Sequence, residues 1–200
     1  MSPFQPDLVD VWIFRTKKPG LRMGFGSVPG PIDRRPGSAM AGDAAAAAPG
    51  FAGAVSGTEI LLLRRSPGRI LPGLWQCVSG SLEAGESVTD GALRELSEET
   101  GFGATEIEGF FDLDQVNQFH EPSVGAIVTS AIFAVRVGAG SEPVLSHEHN
   151  AMRWVSPAAA LETVVWPAYR ESIRRIEENL LDAERAIWFE LTLEGWRARR

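Results

Sequence analysis

The chain has 200 residues, 44% of them hydrophobic, one cysteine, and a formal net charge of -7 from 26 acidic and 19 basic side chains. That length and apolar content suit one compact domain with a real core, and the negative balance argues against a basic footprint for nucleic acid or an anionic membrane surface. The lone Cys77 excludes an internal disulfide and leaves a cysteine-based zinc site without partners; no apolar window reaches the ~18 residues of a membrane span and no leader-like segment opens the sequence, so a cytoplasmic protein is expected.

In chain order, LVDVWIF (8–14) is apolar and branched and reads as a buried strand. From 17 to 57 the chain is so rich in Gly, Pro and Ala that it reads as a long insertion outside the core, either a disordered excursion or a lid; its Ala44 to Ala48 run is too short to hold a helix alone. TEILLLRR (58–65) reads as a central strand, SPGRILPG as a turn and LWQCVSG as a short strand. EIEGFFDL (106–113) and GAIVTSAIFAVRV (125–137) are expected strands with DQVNQFHEPS (114–123) as a polar loop between them, and MRWV is a further short strand. SPAAALETV starts a helix with Ser156 as N-cap and Pro157 at the first position. From Pro167, the spacing of Tyr169, Ile173, Ile176, Leu180 and Leu181 predicts an amphipathic helix, and the tail from Ile187 reads as a strand followed by a basic end. Strands and helices mix without regular alternation, which favours a mixed sheet flanked by helices.

The segment GSLEAGESVTDGALRELSEETGF (80–102) holds six acidic residues against one arginine. Ser87 and Asp90 form a capping-box pattern and Gly101 supplies a helix stop. On the helix between them Glu95, Glu98 and Glu99 share an arc of about 100° beside the apolar stripe of Ala92, Leu93 and Leu96. Like charges at this spacing repel by a few tenths of a kcal/mol. An ordinary solvated face would interleave lysine or arginine; a hard divalent cation with oxygen ligands fits better.

The spacing Gly80, five residues, Glu86, seven residues, Arg94, Glu95, Leu96, one residue, Glu98, Glu99, one residue, Gly101, Phe102 resembles the complete box of the Nudix hydrolases. The seven Gly, Glu and Arg positions of that spacing, each at a frequency of ~6%, coincide by chance with odds on the order of 10⁻⁹ per starting point. The resemblance implies an α/β fold, the α/β/α sandwich with a mixed β-sheet, in a single domain over 1–181 with the 17–57 insertion and a C-terminal extension at 182–200. It implies Mg²⁺ or Mn²⁺ held by Glu95, Glu98 and Glu99, with the Gly80 carbonyl as a further ligand and Glu86 paired with Arg94. Arg94, Glu95 and Glu98 make up the catalytic set, with Glu95 the first candidate for the base that takes a proton from water attacking phosphorus. Many members add an acidic ligand from outside the box. Glu148 in SHEHNAMRWV matches that pattern, with Glu121 in the FHEP loop as runner-up; His147 and His149, flanking Glu148, read as surface residues.

Arg64 and Arg65 could grip a phosphate or be solvated strand ends, and strand alternation implies that one of them reaches the site. Trp75 could stack on a flat ring or belong to the core, and Trp166 and Tyr169 raise the same question. The run from Trp75 through Ser79 to Glu86 is similar to that of the branch including dihydroneopterin triphosphate and dATP pyrophosphohydrolases. The expected activity is therefore metal-dependent hydrolysis of a nucleoside or pterin triphosphate to a monophosphate and pyrophosphate. The alternatives are an RNA 5′-pyrophosphohydrolase, a dinucleoside polyphosphate hydrolase, and a non-catalytic nucleotide-sensing module. The expected partner is a nucleotide-like small molecule, without membrane or nucleic acid, in a monomer or a homodimer.

Overall fold

The computed structural model describes residues 5–17 and 57–193. The expected insertion at 17–57, apart from its two ends, lies outside the described residues, as does the end of the tail at 194–200. Where the insertion leaves and rejoins the body, the Lys17 amide donates to the Gly57 carbonyl at 2.8 Å.

A seven-stranded mixed sheet forms the centre. Strand β1 (Leu8–Thr16) is its axis. On one side it pairs antiparallel with β2 (Thr58–Arg65) through Phe14 opposite Ile60, and with β4 (Val78–Ser81) through Asp10 opposite Ser79. On the other side it runs parallel to β6 (Ala126–Val137). Strand β2 also pairs with β3 (Trp75–Gln76) and β7 (His149–Val155), and β6 pairs with β5 (Ile107–Glu121).

Strand alternation divides the core between two faces. Val9, Val11, Ile13, Leu61, Leu63 and Val78 face helix α1 (Val88–Thr100), which contributes Ala92, Leu93 and Leu96. Trp12, Phe14, Ile60, Leu62 and Cys77 face the opposite layer. That layer consists of α2 (Pro157–Thr163), α3 (Pro167–Arg175), a π-turn at Ile176–Leu180 and α4 (Ala183–Ala186). The expected α/β/α sandwich with a mixed sheet is therefore the fold. No helix among the described residues is long and apolar enough to cross a membrane.

Three expectations are corrected. Residues 114–123 do not form a loop: β5 continues to Glu121 past an irregularity between Asp112 and Val116, where Asp114 has φ 50° and Arg175 donates to the Leu113 and Asp114 carbonyls. The polar composition reflects a ribbon exposed on one face and only half-covered on the other, whose backbone is satisfied by β6. The long helix from Pro167 breaks into α3, the π-turn and α4, the last restarted by Asp182, whose carboxylate accepts from the Glu184 amide. Among the described residues the tail makes a single bridge, Glu190 with Phe111, and residues 182–193 lie against the body with Ala186 and Leu193 buried.

Candidate active site

Strand β4 delivers Gly80 to the start of a tight loop, and α1 returns across it. Ser87 caps α1 by accepting from the Asp90 amide at 3.1 Å, while Gly101 ends it at φ 69° and donates to the Ser97 carbonyl. Arg94 ties the loop to the helix. Its Nε and Nη2 bind the two oxygens of Glu86 at 2.9 and 3.0 Å, and Nη2 also reaches the Ser81 carbonyl at 2.9 Å. A forked guanidinium–carboxylate pair fixes direction as well as distance. It also holds the Glu86 carboxyl below the usual glutamate range.

Arg94 has a second reach. Its Nη1 contacts Glu95 at 2.8 Å and Glu98 at 3.2 Å. Glu95 nonetheless titrates high, because burial outweighs Arg94 and because Glu98 and Glu148 add like charge. Glu99 is only 3% exposed, and burial, then Glu95 and Glu148, push its carboxyl up to about 9. One of its oxygens, Oε2, is buried without a hydrogen bond. The nearest imidazole is His149, with Nδ1 3.6 Å from Glu99 Oε2; burial, reinforced by Arg65, lowers that ring to about 4 and keeps it neutral.

The sequence-derived residues thus divide. Gly80, Glu86, Arg94, Glu95, Glu98 and Glu99 come together, and Glu148 acts electrostatically on both Glu95 and Glu99. Glu121 instead ends β5 and accepts from Ser123 in the hairpin turn. Arg65 is the arginine whose charge reaches Glu99 and His149, whereas Arg64 bonds Asn150 at 2.9 Å. Trp75 lies under the guanidinium of Arg153, 4.2 Å from the ring centre, on the face away from α1. Trp166 is exposed and Tyr169 is packed edge-on against Trp12. The Ser79 amide partly offsets the upward shift of Glu99, and its side chain lies on the opposite sheet face beside Asp10.

His149, expected at the surface, is instead 5% exposed and abuts the glutamates. Arg69 was also overlooked. From the β2–β3 loop its Nη2 binds Glu148 at 2.6 Å and lies 2.8 Å from His147 Nε2. Gln76 leaves its buried Nε2 unpaired near Arg65.

The residues fit a hard divalent cation. The donors are carboxylate and carbonyl oxygens, which Mg²⁺ and Mn²⁺ prefer. The buried Oε2 of Glu99 lacks a partner. A Cβ on Gly80 would fall 1.9 Å from the Glu95 carboxyl carbon, so only glycine leaves the cradle open. Among the described residues no three such groups already converge as a finished cage. Glu95 and Glu98 are drawn to Arg94, Glu99 to His149 and Glu148 to Arg69.

The profile of the NUDIX domain matches residues 47–176. Over 110 residues the chain is 31% identical to CTP pyrophosphohydrolase from Escherichia coli (strain K12), covering 55% of this chain and 76% of that protein. It is 39% identical over 119 residues to an octanoyltransferase from Myxococcus xanthus, but there the match covers 58% of this chain and only 32% of the relative. Among solved structures, a NUDIX hydrolase from Listeria monocytogenes superposes with TM-score 0.59 at 20% identity, covering 88% of this chain and 95% of that one. The E. coli dihydroneopterin triphosphate pyrophosphohydrolase superposes with TM-score 0.53 at 26% identity, covering 60% and 85%. The chain belongs to the NUDIX family, and with its box complete it is an enzyme of the Nudix hydrolase class.

Proposed function

We propose that the chain cleaves a phosphoanhydride bond in a nucleoside or pterin triphosphate, releasing a monophosphate and pyrophosphate. The observation that carries this reading is the cradle in which Glu95 closes on Gly80 while the charge of Glu148, from outside the box, acts on both Glu95 and Glu99. Both a CTP pyrophosphohydrolase and a dihydroneopterin triphosphate pyrophosphohydrolase stand among the relatives, which supports a triphosphate over other phosphoanhydrides.

In this reading Glu95, Glu98, Glu99 and Glu148, with the Gly80 carbonyl, hold Mg²⁺ or Mn²⁺. When bound, the ion offsets the charge of substrate and glutamates and stabilises the charge developing on the leaving phosphate. The chain supplies the rest. Arg94 keeps Glu95 and Glu98 on one side of the helix while its fork on Glu86 prevents the loop from drifting. Glu95, whose proton affinity is raised by burial, accepts the proton of the attacking water. Arg65, bonded to the Ile70 carbonyl at 2.6 Å, holds a phosphate oxygen. His149 stays neutral 3.6 Å from Glu99 and adds no charge to the pocket.

The test is incubation of the protein and Mg²⁺ with nucleoside triphosphates, dihydroneopterin triphosphate, dinucleoside polyphosphates and triphosphorylated RNA, with the products identified chromatographically. Release of pyrophosphate and a monophosphate supports the proposal. Turnover of RNA ends or dinucleotides alone redirects it, and no turnover of any compound replaces catalysis with nucleotide sensing.

A further inference from the structure

Asp10 has no part in the chemistry above. It interrupts β1 between Val9 and Val11 and is 4% exposed. Burying a carboxylate costs several kcal/mol unless donors surround it. Among the described residues, the groups that draw it back toward the ionised form are the Ser79 and Ser130 hydroxyls; burial prevails and its carboxyl titrates at about 6, so above neutral pH it is a buried acceptor.

The register shows what shares its face. Asp10 stands opposite Ser79 on β4, Leu8 beside Ser130 on β6, and Asn117 on β5 opposite Ser130. Direct partners across a sheet project to one side, so Ser79, Asp10, Ser130 and Asn117 form a staggered polar row over four strands, with Asp10 and Ser130 diagonal to each other. The start of α3 lies over the row: Gln115 binds both Asn117 and the Ala168 carbonyl, and Tyr169 meets the ring of Trp12 edge-on with centroids 5.3 Å apart. Two rings on the neighbouring elements are exposed, Trp166 at the N-cap of α3 and Phe119 on β5. Trp12 Nε1, on this same face, is buried and makes no hydrogen bond. Buried polar atoms are almost always satisfied, so an acceptor supported by two hydroxyls alone, beside an unspent indole N–H, points to a missing polar partner. Ser79 joins the row to the glutamates, with its hydroxyl beside Asp10 and its amide on Glu99.

From this we infer that Asp10 reads the ring of the substrate, its two carboxylate oxygens accepting from the adjacent N–H and NH₂ of a 2-amino-4-oxo heterocycle such as guanine or a pterin. An ionised carboxylate only accepts, and its paired oxygens match a pair of neighbouring donors. Cytosine and adenine present a lone pair beside their amino group, which would face a carboxylate oxygen. Uracil offers one N–H between two carbonyls. Asp10 is thus a specificity residue, and the assignment rests on reading the chain as a hydrolase of nucleoside or pterin triphosphates.

The experiment is calorimetric titration of the full chain in EDTA with GMP, IMP, CMP and neopterin monophosphate. IMP differs from GMP by the exocyclic amine alone. GMP or neopterin monophosphate should bind at least about tenfold more tightly than IMP and CMP, the size expected for one hydrogen bond to a charged group. Asp10→Asn, which swaps an acceptor for an amide donor in the same volume, should bring the GMP to IMP ratio close to one. Equal binding of GMP and IMP by the wild-type chain, tighter binding of CMP than of the other three, or an unchanged ratio in Asp10→Asn would each overturn the inference. The wild-type comparison stands even if the variant fails to fold. Because no metal or turnover is involved, ring discrimination without hydrolysis would reject the hydrolase reading alone, and hydrolysis without discrimination would reject the role of Asp10 alone.

Discussion

Replacing Glu99 by glutamine should make the metal-free protein more stable and the enzyme inactive. In the metal-free fold, burial and the charges of Glu95 and Glu148 hold the Glu99 carboxyl at about 9, against 4.5 for an ordinary glutamate. Below pH ~4.5 the folded and unfolded chains both carry the proton, and the group has no effect on stability. As the pH rises toward 9 the unfolded chain releases the proton while the folded chain must keep it or bury a charge, so stability falls by up to ~1.36 kcal/mol per unit. Glutamine removes that dependence. In urea unfolding with EDTA, the advantage of Glu99→Gln over wild type should therefore grow by up to about 2.7 kcal/mol between about pH 5.5 and 7.5. In Mg²⁺ the order reverses: the wild type gains thermal stability with rising pH, as the ion competes with the proton, while the variant gains little and does not hydrolyse substrate. A difference between the two proteins that does not change with pH would refute the reasoning, as would near-wild-type turnover by Glu99→Gln.

Other substitutions separate the parts of the site. Gly80→Ala puts a methyl within 2.2 Å of both oxygens and the carboxyl carbon of Glu95; the chain should still fold, because the end of a flexible side chain can yield, while kcat falls by about a hundredfold. Arg94→Lys keeps the charge but not the fork on Glu86 or the bond to the Ser81 carbonyl, and should lower stability by about 1–3 kcal/mol in chemical denaturation along with activity. Glu148→Gln should raise the Mg²⁺ concentration needed for half-maximal rate by about tenfold, whereas Glu121→Gln, in the hairpin turn, should leave it unchanged. Leu96→Ala, under the apolar face of the box helix, should cost about 2–5 kcal/mol without altering the metal dependence of what remains folded.

The box was legible because its chemistry is local: six acids against one arginine, a cap, a stop and a helical period all fall within 80–102. The sandwich followed from patterning, since the odd and even positions of LVDVWIF and TEILLLRR are both apolar and both faces must be covered. What escaped depends on contacts distant in sequence. His149 looks like any polar residue before a strand, and only the pairing of β7 with β2 carries it to Glu99. The 114–123 ribbon has the composition of a loop because neither of its faces is fully buried, and it is a strand because β6 lies alongside. Asp10 left a usable signal, a charge at the centre of an otherwise apolar strand, which is costly enough to call for a reason. Arg69 left none, because its role depends on how a Gly- and Pro-rich turn bends toward Glu148.

The position of β1 has a consequence for how the molecule assembles. Its edges are completed by residues as far along as Val78–Ser81 on one side and Ala126–Val137 on the other, so Leu8 meets Ser130 only after the intervening chain has been gathered in. Closing loops of that length comes before any packing reward, which makes folding slow relative to helical domains of the same size. Helix α1 has a cap and a stop of its own, but the floor on which Gly80 meets Glu95 exists only once β4 has docked against β1. The carboxylates should therefore gather late, so that a refolding protein recovers its helical signal before it can be stabilised by a divalent ion.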